Sequence, residues 1–200
     1  MFKIIVTIEG VDGSGKTTQA TMLVERLLGE GHNAVYIRPI FVLLGLFRRE
    51  ESPISVSPRK NRTKDDSGKS SVIFGVLGYF YALVSYVVIR FQSRNKIVVC
   101  DRYFYQFFYD LFESSSENVV KFFPKPDIAF LLKMDLDTLY SRVSSYDAEV
   151  DKSYYIKVIG MYSKLASKYE FIQIDAKLEK EAINDVIFGH LAKMLGRTSL

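Results

Sequence analysis

The chain begins with an apolar, largely β-branched run, Phe2 to Ile8, that leads directly into Gly10. A short apolar run with no polar alternation suits a strand covered on both faces, as in a parallel sheet. After Lys16 the period changes. Ala20, Leu23, Val24, Leu27 and Leu28 recur at helical spacing and predict a helix that buries one face. The stretch Gly29 to Gly31 offers that helix a left-handed cap. Ala34 to Ile37 reads as a second short strand, closed by Pro39.

The alternation continues with Lys96–Cys100, Ile128–Leu132 and Glu170–Ile174 as three further strands. Helical stretches are expected at about 103–116, 135–145, 151–169 and 178–195, the third with an apolar stripe of Tyr154, Val158, Met161, Tyr162 and Leu165. Strands alternating with helices predict a doubly wound parallel α/β sheet in a single domain. Two stretches break the rhythm. Residues 50–71 are polar with two prolines, which predicts a mobile surface loop. Ser70 to Ile89 then carries no charge for 20 residues, long enough to span a bilayer. A single span would put the first two strands and the last three on opposite sides of a membrane. A helix at 72–91, covered by the sheet or by a second subunit in a homodimer, is therefore the expectation.

Composition adds bounds rather than identity. The 200 residues carry 27 Lys plus Arg against 23 Asp plus Glu and are 48% hydrophobic, which excludes disordered, collagen-like and disulfide-scaffold classes. The single cysteine, Cys100, cannot pair within the chain, and no signal peptide is read at the N-terminus, so a cytoplasmic protein is expected. A net charge of +4 is weak for a nucleic-acid binder and suits a binder of phosphates. The aromatic run Phe104 to Tyr109 lacks interleaved basic residues and reads as packing, so no nucleic-acid partner is expected.

The chemistry is concentrated in Gly10-Val11-Asp12-Gly13-Ser14-Gly15-Lys16-Thr17, which matches G-x-x-x-x-G-K-[ST] between an apolar strand and an amphipathic helix. The glycines let successive N–H groups turn inward onto phosphate oxygens, and the helix adds its positive N-terminal dipole. Lys16 supplies charge for the β- and γ-phosphates of ATP, and the Thr17 hydroxyl is a hard ligand for Mg²⁺. Thr18 completes the candidate nucleotide-binding set. Asp101-Arg102-Tyr103 follows the third strand at the same sheet edge. Asp101 is there a candidate to hold the metal through water, and Arg102 to fork onto a second phosphate, the alternative being a surface ion pair. Arg38, at the end of the second strand, is a candidate for the acceptor phosphate, Arg142 for the adenine, and Lys152 for the transferring phosphoryl group.

Taken together, IEGVDGSGKTTQ at 8–19, IVVCDRY at 97–103, PDIAFLLKMDLDTLYSRV at 126–143, SYYIKVIGMYSKLA at 153–166 and FIQIDA at 171–176 resemble the thymidylate kinase family of P-loop nucleoside monophosphate kinases. The resemblance covers most of the chain outside about 40–90. It implies a P-loop NTPase fold with sheet order 2-3-1-4-5 and helices on both faces. It also implies transfer of the ATP γ-phosphoryl group to a deoxynucleotide, dTMP giving dTDP. By position, Asp12 would sit at the acceptor sugar, Arg102 and Arg38 would grip the acceptor phosphate, and Tyr103 would close off the sugar. Arg142 and the Asp175-Ala176-Lys177 loop would flank adenine. Catalysis would fall to Lys16, Asp12, Arg102 and Lys152.

The departures are specific. Arg38-Pro39 has no glutamate between its members, and no cation stands between Lys69 and Arg90 where the family carries a base-reading arginine. Phe74, Tyr79 or Phe80 is left as a candidate to stack the base, and Gln106 replaces the family's serine. The short lid expected at 144–152 has no cation before Lys152. Two further readings therefore stay open: a nucleotide-binding regulator or membrane-associated protein with little transfer, and a kinase of another small acceptor.

Overall fold

The computed structural model of the chain describes residues 4–43, 68–142 and 152–198. The loop expected at 50–71 falls outside the described residues except for its last four, which begin a helix. The lid expected at 144–152 falls outside them except for Lys152.

Five strands form one parallel sheet: β1 (Ile4–Glu9), β2 (Ala34–Ile37), β3 (Ile97–Asp101), β4 (Ile128–Lys133) and β5 (Ile172–Asp175), in the order β2-β3-β1-β4-β5. The expected order is the observed one. β1 is central and all six of its residues are buried, which is why its sequence shows no polar alternation. Its register with β3 pairs Ile4 with Ile97 and ends with Ile8 opposite Asp101. Because all strands run the same way, the segments after β1, β2, β3, β4 and β5 emerge along one edge. That edge therefore collects the glycine-rich loop, Arg38, Asp101-Arg102 and Ala176.

Helices cover both faces. One group is α1 (Lys16–Gly29) with α7 (Lys180–Thr198). α1 buries Ala20, Leu23 and Leu27 completely, whereas Leu28 is 52% exposed because it lies past the edge of the stripe on the last turn. The helix stops where Gly31 takes φ 82°, and the His32 N–H reaches back to the Leu27 carbonyl at 2.9 Å, a Schellman-type closure. Gln19 ties α1 to α7 by donating to the Lys180 carbonyl at 2.8 Å and accepting from Asn184 at 3.2 Å.

The other group is α2 (Gly68–Gln92), α3 (Tyr105–Phe112), α4 (Ser116–Phe122) and α6 (Lys152–Lys168), with the short α5 (Leu136–Arg142) after β4. Its centre is Phe108, fully buried and ringed by Tyr79, Phe104, Phe112 and Phe123 with centroids 4.8–6.3 Å away. The aromatic run is thus packing, as its composition suggested. In α6 Tyr155 rather than Tyr154 is buried, so the stripe runs Tyr155, Val158, Met161, Tyr162, Leu165. Tyr154 turns its hydroxyl outward to Asp110.

Within the single chain the apolar helix is covered on one side only. α2 buries Ala82, Ser85 and Ile89 against the domain, and Gly78 leaves room for Leu111 of α3 where a Cβ would collide with it. On the opposite side Ile73, Leu77, Phe80, Val84, Val87 and Phe91 are each at least 50% exposed. Ile73–Asn95 is long and apolar enough to cross a membrane. Its connections join two neighbouring parallel strands, however, so it runs back alongside the sheet and lies on α3 and the Pro39–Phe41 turn.

Truncating Phe108 to alanine removes the ring on which this group converges. The substitution is expected to cost about 3–5 kcal/mol, read as a shift of the urea unfolding midpoint.

Candidate active site

β1 ends in a loop that only its own sequence can follow. Gly10 takes φ 141°, and a Cβ there would lie 2.7 Å from Ser14 Oγ and 2.8 Å from the Leu132 carbonyl. Val11 and Ser14 are buried, with the Ser14 N–H on the Val11 carbonyl at 3.2 Å. Gly13 (φ 76°) and Gly15 (φ 89°) turn the chain back so that α1 starts at Lys16, with Thr17 and Thr18 on its exposed first turn.

Lys16 is only 4% exposed. Its ammonium lies on the Val11 carbonyl and 3.3 Å from Ser14 Oγ. Burial, followed by repulsion from Arg102, lowers its pKa to about 7. An anion drawn into this loop would be charge-paired with a lysine that the protein itself leaves poorly compensated.

Asp101, at the end of β3, is the hub of the edge. Its Oδ2 accepts from Thr17 Oγ1 at 2.6 Å, Tyr36 Oη at 2.7 Å and Arg38 Nε at 2.9 Å. Burial alone would push this carboxyl up; the hydrogen bonds from Thr17 and Tyr36 and the Arg38 charge bring it below its ordinary value. Its other oxygen, Oδ1, is buried and has no partner among the described residues. A buried carboxylate oxygen left over beside a threonine hydroxyl fits a magnesium ion that brings phosphate and water ligands of its own. Among the described residues no cluster of three or more His, Cys, Asp or Glu could form an all-protein cage. Arg38 reaches the predicted edge, but its guanidinium lies on this pair, with Nη2 3.0 Å from Thr17 Oγ1.

Arg102 adopts φ 66°, a left-handed conformation that costs a non-glycine residue about 1–2 kcal/mol. Its N–H is held by the Ile8 carbonyl at 3.1 Å, and its guanidinium pairs with Asp12. Arg102 Nε is buried with no hydrogen-bond partner among the described residues. The motif's lysine and aspartate and the arginine after β3 therefore meet in one place.

The adenine-side candidates also converge. Arg142 Nη1 donates to the Ala176 carbonyl at 2.8 Å, and its Cβ lies 3.8 Å from where a Gly13 Cβ would be. Lys177 departs from expectation: its ammonium pairs with Asp135, and only its backbone N–H, on Asp175 Oδ1 at 2.9 Å, belongs to the loop. Lys152 sits with its ammonium 5.1 Å above the Tyr140 ring.

On the acceptor side three candidates sit differently from the sequence reading. Tyr103 is 3% exposed, its ring against Phe104, Tyr105 and Phe123 and its hydroxyl on the Pro124 carbonyl, so it is a core residue rather than a wall of an open site. Phe74 and Phe80 point to the exposed face of α2. The α2 side chain that does reach this edge is Tyr81, whose hydroxyl donates to the Ile40 carbonyl. Gln106 donates to Tyr154 Oη at 3.1 Å and keeps a buried, unpartnered Oε1.

Two residues of the site were missed from sequence. Tyr36 buttresses Asp101, and burial raises its hydroxyl pKa to about 12. Glu9 is fully buried directly before Gly10. An acid closing an otherwise buried strand was the available signal.

A glycine-rich phosphate loop between a central buried strand and a helix, faced by the carboxylate of the neighbouring strand, defines a P-loop NTPase fold. The family description "Thymidylate kinase" matches residues 8–40 and 64–187, so the chain belongs to the thymidylate kinase family. The match extends through most of the apolar helix that the sequence resemblance had left out. Relatives include a "Probable thymidylate kinase" of Methanocaldococcus jannaschii, 32% identical over 94% of this chain and 95% of its own length. Those of Pyrococcus horikoshii (32%; 84% and 85%) and Sulfurisphaera tokodaii (29%; 90% and 91%) are similar.

The buried lysine gives a pH prediction. Because its pKa falls from 10.5 to about 7 on folding, the folded chain disfavours the charged form, and stability rises with pH across that window. Lys16→Met is expected to be more stable than wild type below pH 7, with the gain disappearing as pH approaches 10.5, in urea titrations at several pH values.

Proposed function

We propose that the protein is a MgATP-dependent nucleoside monophosphate kinase that phosphorylates dTMP to dTDP. The observation that carries this reading is the meeting of Lys16, Asp12 and Arg102 at one loop, with Thr17 and the spare Asp101 oxygen beside them. Lys16 and the loop N–H groups would hold the donor phosphates, and Thr17 with Asp101 would hold the magnesium. When bound there, magnesium would supply positive charge that offsets the donor phosphates. Arg102 would bind the acceptor phosphate, with Asp12 orienting it in the meantime. Arg142, fixed on the Ala176 carbonyl, offers a flat guanidinium beside the loop for adenine. Phosphoryl transfer needs mainly positioning and charge compensation, which such a site supplies. The names of the relatives support dTMP as acceptor; the helix expected to read the base carries no cation between Lys69 and Arg90.

The test is ADP release from MgATP with dTMP, dUMP, UMP, CMP, AMP and GMP as acceptors. Transfer is expected with dTMP preferred, and both Lys16→Ala and Arg102→Ala are expected to lower it by about 10³-fold or more. Transfer that survives both substitutions would overturn these roles.

We also propose that the chain works as a homodimer through α2. Ile73, Leu77, Phe80, Val84, Val87 and Phe91 alternate at spacings of four and three along the exposed face, the 3.5-residue period of a helix–helix seam. Light scattering is expected to give twice the chain mass, and Val84→Glu to give the monomer mass. A monomeric wild type would sink the dimer.

A further inference from the structure

Glu9 is the residue of this edge that the proposed chemistry does not use. It is completely buried, one position before the phosphate loop. Its Oε1 accepts from Thr7 Oγ1 at 2.5 Å and from the Tyr103 N–H at 2.7 Å, and its Oε2 accepts from Tyr162 Oη at 3.1 Å. Burial pushes this carboxyl up, and the bonds from Thr7, Tyr162 and Tyr103 only partly oppose it. A carboxyl buried at that cost has a task in the fold.

What it touches says what that is. Arg102 lies between two immobile neighbours: Asp101, held by three hydrogen bonds, and Tyr103, whose ring is locked in the aromatic core. The left-handed turn at Arg102 leaves two consecutive N–H groups pointing back at β1. The first is taken by the Ile8 carbonyl, the second by the Glu9 carboxylate. No further residue of β1 lies beyond Glu9 to offer a carbonyl, because the strand gives way to the glycine loop there. A side chain has to reach instead.

We propose that Glu9 is a positioning residue for Arg102: by accepting the Tyr103 N–H it holds the strained Arg102 backbone that aims the guanidinium at Asp12 and the acceptor phosphate. Through Tyr162 it also ties that turn to α6, the helix that Lys152 opens. The proposal rests on the kinase reading above for the identity of the acceptor, but not for the geometry.

Two substitutions separate reach from charge. Glu9→Gln keeps the length and the acceptor oxygen and loses the charge. Glu9→Asp keeps the charge and is one methylene too short. With dTMP as acceptor, Glu9→Gln is expected to stay within about threefold of wild-type kcat/KM, whereas Glu9→Asp falls by about 30- to 100-fold with the KM for ATP little changed. A crystal structure of Glu9→Asp is expected to show Arg102 at negative φ, while Glu9→Gln keeps φ positive. A loss in Glu9→Gln with Glu9→Asp left near wild type would mean that charge, not reach, matters, and would overturn the proposal, as would equal losses in both. So would a Glu9→Asp protein with lowered melting temperature but unchanged kinetics and unchanged Arg102 backbone. If Glu9→Asp does not fold, Tyr162→Phe replaces it, with an expected loss of about three- to tenfold for dTMP alone; no change would count against the proposal. Should wild type transfer to no monophosphate, the kinase reading fails, and the Arg102 backbone angle in the two variants still decides the role of Glu9.

Discussion

The register of β1 against β3 is the constraint on which the rest depends. Ile8 faces Asp101, so the glycine loop leaves β1 at the level where β3 delivers a carboxylate and then an arginine. A slip of one residue would turn Asp101 to the other face of the sheet and unhook Thr17, Tyr36 and Arg38 from it together. The slip is resisted by the buried strands themselves, Ile4 to Ile8 and Ile97 to Cys100, whose side chains fill both faces. Geometry of the charged edge is thus guaranteed by apolar packing behind it.

That edge confines Glu9, Asp12, Lys16, Asp101 and Arg102 in a small volume with little water. Three of the five are nearly or fully buried, and they do not neutralise each other pairwise. Arg102 takes Asp12, Arg38 takes Asp101, and Glu9 is spent on an N–H, which leaves Lys16 with carbonyl and hydroxyl partners only. The lowered lysine pKa, the spare Asp101 oxygen and the unpartnered Arg102 Nε express one imbalance. On the proposed reading, a phosphate chain with a divalent cation would correct both halves of it, the anion satisfying the lysine and arginine and the cation the carboxylate. Preorganisation of this kind is held in place by the core and lowers the reorganisation needed at the reacting group.

What could be read in the sequence follows from how local its cause is. The strands and the Gly10–Thr17 loop were legible because periodicity and turn chemistry act over a few residues, and the sheet order through the family resemblance. Arg142 beside Ala176 was legible through the resemblance. Tyr36 and Tyr162 were not, since each matters through one hydroxyl contact with a residue more than 60 positions away. Glu9 could have been suspected, as an acid closing a buried strand, but its partner N–H depends on the left-handed turn at Arg102, which no residue type there announces. Tyr103 and Phe80 went the other way. Their motif positions were legible, but the aromatic core captured one and the outer face of α2 the other.

This division has a physical reason. The parts proposed to handle phosphate are strand ends, and changing them disturbs sheet register, the buried charges and the core at once. The part expected to choose an acceptor is α2, which meets the rest of the domain along one side only. α2 keeps Ala82, Ser85 and Ile89 inward and Gly78 against Leu111 to stay docked, and the rest of its surface can vary at no cost to the phosphate edge. In this chain that freedom has gone into an apolar seam in place of cations. Tyr81, tethered to the Ile40 carbonyl beside Arg38-Pro39, is then an α2 side chain that reaches the phosphate edge. Selectivity on such a helix would come from the shape of an aromatic wall and the Gln106–Tyr154 pair, rather than from a charged reader of the base edge.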